Sequence, residues 1–490
     1  MDHPAWRQGD TAAIARNFAE LNFNILYPQT DYDGPPPNYV QLELQIVPYL
    51  AAAGYKLFGV HEFFGRAISI AFSLLTVGLL AFFGTWLFES SLAGLAAALL
   101  FAIFPGSVYY GRTFMPDTAM TFFLTAALYA STRTLLAPPS RVPWREAGAA
   151  TLLALAFLAK PVSLLAIVPV MAVETFREWP QTRRPVLPLR SLAMLVPALV
   201  VLWVYLRYVG AHAEWQWATA ITQRHVLPSL IAAATSAHAM FAKLTIALAI
   251  VPWLLATTML GPAGFGLSIV AFLTPMRSRS NALIYGWLAA VAVYAFLVVT
   301  VERVDYYLYP ALPLAALAGG ALIVKVASAW RDAQRPIQIA AAAGAVLALV
   351  LTIGSNEEQI HPYYNYRHAV YAEALHLRRL LEPGTLVVMA HYDPSILYYM
   401  DHKGWEEDPM LWTPLDEESA IAKGARYFIA IEGNRFRRNE DLFAWMQRFP
   451  LLPKSGIWPV YETDYSKVLP GAEERWREYR RQRMQRSTKS

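Results

Sequence analysis

The sequence predicts a polytopic α-helical membrane protein that ends in a small α/β domain. Three observations carry that reading. Apolar runs of about 20 residues recur along most of the chain, long enough for helices that cross a bilayer. Basic residues cluster in alternate connections between those runs. After about His361 the pattern changes to short apolar runs separated by helical segments. The composition agrees: 56% of the 490 residues are hydrophobic and only 16% are charged, with a mean hydropathy of +0.32. A net charge of +5 does not argue for nucleic acid, and the absence of cysteine excludes disulfides and thiolate metal sites.

About ten spans are expected. They are Glu62–Phe88, Ser91–Tyr110, Pro116–Leu136, Trp144–Ala159, Val162–Phe176, Leu189–Tyr208, Ile250–Leu273, Ala282–Val301, Tyr306–Ala327 and Ile337–Ile353. Lys160-Pro161 divides the fourth from the fifth, because proline pushes the preceding residue out of the helix. Arg141 and Arg145 fall in one loop, Arg177, Arg183, Arg184 and Arg190 in a second, Arg277 and Arg279 in a third, and Lys325, Arg331 and Arg335 in a fourth. Those loops are therefore assigned to the cytoplasm. The N-terminal segment, Arg112–Asp117, Lys160, the loop Val209–Ala249, Glu302–Asp305 and everything after Ile353 are assigned to the other side.

The division expected is an extracytoplasmic segment 1–61 with interfacial helices, a transmembrane domain 62–354, an α/β domain 355–470 and a charged tail 471–490. Within the first segment, Ala12–Leu21 has helical apolar spacing with Thr11 as its cap. Val40–Phe58 reads as one helix near the interface. In the α/β domain, Leu386–Met389 and Tyr427–Ile431 read as buried strands of a parallel sheet, with helices over Tyr371–Leu381 and Glu417–Lys423. The chain opens on polar Met1-Asp2-His3-Pro4, without the apolar core of a signal peptide. A first helix upstream of Met1, or a short N-terminus carried across with the first hairpin, would account for its placement.

Three carboxylates, Asp10, Glu43 and Asp117, are expected at the water-facing mouth of one side, flanked by arginines. The ordered series Trp6-Arg7-Gln8-Gly9-Asp10-Thr11-Ala12, Glu43 with Pro48-Tyr49-Leu50, Lys56-Leu57-Phe58-Gly59 with Arg66, Tyr109-Tyr110-Gly111-Arg112-Thr113-Phe114-Met115-Pro116-Asp117, Ala159-Lys160-Pro161, and Asp305-Tyr306-Tyr307-Leu308 with Pro310 resembles the family 39-type, dolichyl-phosphate-mannose-protein-mannosyltransferase-like glycosyltransferases of the GT-C superfamily. Tyr398-Tyr399 and Gly404-Trp405 resemble the C-terminal domain of bacterial members. Family members carry a transmembrane helix before the first acidic loop, and this chain begins inside that loop.

The resemblance implies a GT-C-like bundle in the cell inner (plasma) membrane, with its active site and C-terminal domain extracytoplasmic. It also implies a polyprenyl-phosphate-sugar donor, an envelope glycan, lipid or protein acceptor, and inversion at the anomeric carbon. Such chemistry asks for a base at the acceptor hydroxyl and for cations at the departing phosphate. Asp10 is the candidate base, or an ion-pair partner of Arg7, which itself orients it or holds phosphate. Asp117 either acts in catalysis and acceptor positioning or caps a helix. Glu43 binds the acceptor or a divalent ion, or pairs with Arg66. Lys160 is the leading phosphate ligand, with snorkelling to the interface as the alternative; Arg66 and Arg112 share that role and Arg303 is a third candidate. Tyr109, Tyr110, Tyr306 and Tyr307 read first as an aromatic belt. Asp10, Glu43 and His3 or His61 could ligate a divalent cation, although no spacing demands a metal. A secondary transporter would show an internal repeat and paired broken helices, neither of which is present in the sequence pattern. A non-catalytic scaffold would tolerate loss of Asp10.

Overall fold

A computed structural model describes residues 2–139, 143–178, 184–216 and 220–487. Two of the basic loop positions, Arg141 and Arg183, lie outside them. The chain forms two compact units: Met1–Val40 with Asn365–Ser490, and Gln41–Tyr364.

Helix α1 (Ala5–Glu20) begins well before the expected start. Thr11 is interior rather than a cap, and its Oγ1 donates to the Arg7 carbonyl at 2.8 Å. A threonine inside a helix satisfies its hydroxyl on the preceding turn, which sequence spacing alone does not distinguish from capping.

The second unit is helical. After a short strand at Val40–Gln41 come α2 (Ile46–Phe58), α3 (Phe63–Phe88), α4 (Ser91–Ile103) and α5 (Pro105–Tyr110). Next are α6 (Asp117–Leu136), α7 (Trp144–Ala159), α8 (Ile167–Thr175) and α9 (Leu189–Gly210). Then follow α10 (Leu227–Thr235), α11 (Ala237–Leu254), α12 (Gly261–Leu273) and α13 (Asn281–Tyr294). A 3-10 segment, Asp305–Ala311, leads into α14 (Leu312–Arg331), and α15 (Arg335–Tyr364) closes the unit. Helix α3 packs on α4 and α6, α6 on α7, α7 on α9, and α4 on α14. Close approach explains the small residues: a Cβ on Gly94 would lie 2.1 Å from the Ala81 carbonyl of α3. Among the described residues five helices are long and apolar enough to cross a membrane: Phe63–Phe88, Leu189–Gly210, Ala237–Met259, Asn281–Glu302 and Asp305–Arg331.

Three expectations need correction here. Val40–Phe58 is a strand and then a helix, because Glu43 and the turn to Gln45 precede the regular apolar pattern. Val209–Ala249 is not a loop, since α10 and the start of α11 lie in it. Ser236 Oγ accepts from the Ala239 amide and caps α11, a signal present in the sequence and outweighed by the polar His238 and Lys243. Ile250–Leu273 is also not one helix. It breaks at Gly261, which takes φ +72° ahead of Pro262.

The rest of the first unit is a three-layer α/β fold. Helix α16 (His368–Leu380) precedes β1 (Leu386–Met389), α17 (Pro394–Met400), β2 (Lys403–Glu406), α18 (Pro414–Ala422) and β3 (Ala425–Ile429). Two short helices, α19 (Gly433–Arg438) and α20 (Glu440–Met446), lead to β4 (Val460–Glu462), and α21 spans Ala472–Ser487. The sheet order is β2-β1-β3-β4. The first three strands are parallel and β4 is antiparallel to β3. Alternate residues of β1 feed two cores: Val387 and Met389 pack with Leu377, Leu397 and Tyr427, whereas Val388 packs with Phe428, Ala420 and Trp445.

Helix α1 belongs to this fold and packs on α17. A Cβ on Gly9 would sit 2.6 Å from the Ser395 backbone. The segment after α1 lies along β2, with the Gly404 amide donating to Asp31 O at 2.9 Å and the Gly34 amide to Gly404 O at 2.8 Å. Gly404 itself has φ +153° and no room for a Cβ beside the Val387 carbonyl.

Candidate active site

The site candidates fall into two clusters, one in each unit. In the helical unit, α6 starts at Asp117 directly after Pro116, and α7 ends at Ala159 directly before Lys160. Lys160 leaves the helix in an extended conformation, φ −168°. Its Nζ then reaches Asp117 Oδ1 at 2.7 Å. Both side chains are buried, at 10% and 1% exposure. The ammonium also lies over the rings of Tyr306 and Tyr307, 4.9 and 5.3 Å from their centroids. These contacts stabilise a buried cation through a counter-charge and two π faces. Asp117 Oδ2 has no hydrogen-bond partner among the described residues.

Asp305 supports Tyr306 and two further tyrosines, Tyr110 and Tyr363. Its Oδ1 accepts from Tyr110 Oη at 2.7 Å and from the Tyr306 amide at 2.8 Å. Its Oδ2 accepts from Tyr363 Oη at 2.7 Å. Tyr109 Oη donates to the Tyr363 carbonyl at 2.7 Å, and the Arg112 guanidinium lies over Tyr109 and Tyr364 at 5.2 and 4.3 Å. The tyrosines expected as an interfacial belt are therefore largely buried inside the unit: Tyr109, Tyr110 and Tyr306 are at most 2% exposed.

The other helical-unit candidates are placed as follows. Glu43 is buried, and its charge acts on Tyr205 of α9. The neighbouring Leu44 amide donates to Leu158 O at 2.8 Å, two residues before Lys160. Arg66 is half-buried in the first turn of α3. Arg303 is exposed, with a left-handed backbone at φ +54°.

Asp10 and Arg7 lie in the other unit, on α1. Asp10 is 6% exposed, and its Oδ1 has no hydrogen-bond partner among the described residues. Burial pushes its carboxyl up to about 7, partly offset by the Arg7 charge and a hydrogen bond with Tyr32. Asp393 and Asp31 raise it further. Glu406, on β2, is pushed well above the usual carboxylate range, first by burial and then by Asp10, Asp33 and Asp393. These carboxyl groups therefore retain protons near neutrality that isolated carboxylates would release.

An ionic clamp fixes α1 beside them. Arg16 donates to Asp31 at 2.6 Å, to Asp401 at 2.7 Å and to the Tyr398 carbonyl at 3.0 Å. Lys403 and Asn17 complete the contacts to the fully buried Asp31. Among the described residues no group of three His, Asp or Glu side chains is arranged to hold a metal.

Asp305 stands beside Tyr306 in the Asp305-Tyr306-Tyr307-Leu308 motif, on the same predicted side, but nothing in its local sequence assigns it a role. Asp33, Asp393 and Glu406 carried no local signal, because strand pairing brings them to Asp10 from across the sequence.

Residues 45–206, which include Asp117 and Lys160, match the dolichyl-phosphate-mannose-protein mannosyltransferase family. The whole chain superposes on ArnT from Cupriavidus metallidurans bound to undecaprenyl phosphate, with TM-score 0.57 at 14% identity, covering 96% of this chain and 95% of that one. The chain thus shares the fold of that protein, and the family match is confined to residues 45–206. The oligosaccharyltransferase of Archaeoglobus fulgidus, in complex with zinc and sulfate, gives TM-score 0.55 at 13% identity, covering 96% of this chain and 70% of that one. No curated protein sequence matches this chain.

Proposed function

We propose that this protein transfers a sugar from a polyprenyl-phosphate-linked donor to a hydroxyl of an envelope lipid, polysaccharide or protein. The reaction takes place on the extracytoplasmic face of the inner membrane, with inversion. The observation that carries the reading is the buried Asp117–Lys160 pair under Tyr306 and Tyr307, inside the family-matched region of a GT-C fold. Lys160 spends one N–H on Asp117 and keeps donors for a phosphate oxygen, with Arg66, Arg112 and Arg303 as further cations of its unit; Arg7 stands beside Asp10 on α1. Glu43 and the open oxygen of Asp117 position the acceptor.

In the step itself, the acceptor oxygen attacks the anomeric carbon from the face opposite the leaving group. The bond from that carbon to the phosphate oxygen breaks, and the polyprenyl phosphate departs with the electron pair. Ionised Asp10 takes the acceptor proton; a base that titrates near 7 is matched to that task at neutral pH. Mass spectrometry of envelope glycans and glycolipids tests the reading, in a deletion strain complemented by the wild-type gene or by Asp10→Asn at matched expression. A sugar lost in the deletion and restored only by the wild type is expected. An unchanged glycan profile in the deletion strain would overturn the transferase reading, and full restoration by Asp10→Asn would overturn the base assignment.

A further inference from the structure

The end of the helical unit away from Asp117 and Lys160 carries a second set of charges. Helix α6 runs 20 residues from Asp117 to Leu136, so the two ends are about 30 Å apart along it. A cavity of 480 Å³ opens there between the ends of α3, α12 and α14, lined by Arg277, Arg279 and Lys325 over apolar Leu87, Ala271 and Leu322. A second cavity, of 580 Å³, is lined by Arg133, Arg145, Trp86 and Tyr129 and shares Arg279 with the first. The Trp86 indole has the Arg133 and Arg279 guanidinium groups 6.0 and 5.5 Å from its centroid.

Five cations thus line the two cavities against one carboxylate, Glu89, which Arg279 engages at 2.9 Å. Lys325 donates to the Pro275 carbonyl at 2.9 Å, leaving two ammonium N–H groups. Charges that only set orientation need no cavity; these surround one whose floor is apolar and whose rim is cationic. That is the chemistry of a phospholipid headgroup site between transmembrane helices.

We infer that this end binds an anionic phospholipid, its phosphate held by Arg277, Arg279 and Lys325 and its chain against the apolar floor. Native mass spectrometry of the full-length protein in neutral detergent tests it, with phosphatidylglycerol and phosphatidylcholine of identical chains. The wild type is expected to retain phosphatidylglycerol preferentially. Arg277→Gln/Arg279→Gln/Lys325→Gln is expected to bind it about a hundredfold more weakly, at roughly fivefold per cation. Arg277→Gln/Lys325→Gln keeps the Arg279–Glu89 pair and serves if the triple variant does not fold. Arg475→Gln/Arg477→Gln/Arg481→Gln removes the same charge from α21 and should bind as wild type. Equal retention of the two lipids, an equal loss in the α21 variant, or displacement of the lipid by equimolar inorganic phosphate would each overturn the assignment.

Discussion

Asp117 and Asp10 are both buried carboxylates expected to work in catalysis, yet the protein treats them in opposite ways. Asp117 is given a dedicated cation, Lys160, which sits under two tyrosine rings. Asp10 is raised chiefly by burial, which Arg7 only partly offsets, with Asp393 and Asp31 adding to the rise and Glu406 sensing its charge in turn. A buried carboxylate with a matched counter-charge is held in place and binds or positions. One buried in a dry site whose single cation does not offset burial and nearby acids keeps its proton until pH approaches neutrality, and so exchanges protons there. The difference lies in the partners each residue finds in the fold.

Replacing Asp10 by Asn should have the largest effect on activity, because it keeps shape and hydrogen bonding and removes only proton exchange. Loss of a positioned general base is expected to lower turnover by about 10² to 10⁴. Wild-type turnover should rise with pH through about 7, as Asp10 ionises, and the variant should lose that limb. Stability should show the reverse sign. A folded-state value raised from 3.8 to about 7 makes the protonated form the favoured one, so its contribution is full below pH 4 and is lost by about pH 7. Asp10→Asn should therefore melt higher than wild type above pH 7 and close to it below pH 4. Identical pH–melting curves would break the contrast between the two sites.

Lys160→Met tests the other half of the comparison. It leaves Asp117 charged and buried, which should lower stability by about 3–5 kcal/mol. Adding Asp117→Asn to Lys160→Met should restore most of that loss in denaturation measurements without restoring transfer. If the single and double variants unfold alike, the loss does not come from leaving Asp117 buried without its counter-charge. Arg16→Met makes the equivalent test in the first unit, because it strips Asp31 of its guanidinium. A smaller loss than for Lys160→Met is expected, since Lys403 still reaches Asp31 at 2.5 Å.

Much of this contrast was legible in the sequence only from one side. The apolar runs and Lys160-Pro161 placed Asp117 and Lys160 at the same end of the helices, and the structure puts them in contact. Parity of spans is a long-range rule that a sequence states directly. The surroundings of Asp10 had no such rule. They depend on the segment after α1 lying along β2, a pairing fixed by Gly404 and invisible to any local window. The same reason hid the Arg16–Asp31 clamp, whose third member, Asp401, is 385 residues from Arg16. Within the helical unit, α11 was missed because two polar residues interrupt its hydropathy, although Ser236 marks its start.

Asp305 is the third kind of buried carboxylate, one held by neutral donors: Tyr110 Oη, Tyr363 Oη and the Tyr306 amide. Asp305→Asn should be the mildest of these changes. The amide oxygen still accepts from Tyr110 and the Tyr306 amide, and the amide nitrogen meets Tyr363 Oη, which can turn to accept. What is lost is the ionic strengthening of three hydrogen bonds, which argues for a stability change of about 1 kcal/mol. Its functional mark is more specific. Tyr306 would be held less firmly beside Lys160, so apparent donor affinity should weaken while the pH limb assigned to Asp10 stays where it is. A shift of that limb in Asp305→Asn would mean that the proton exchange near neutrality belongs to the helical unit, and that the division of labour between the two carboxylates runs the other way.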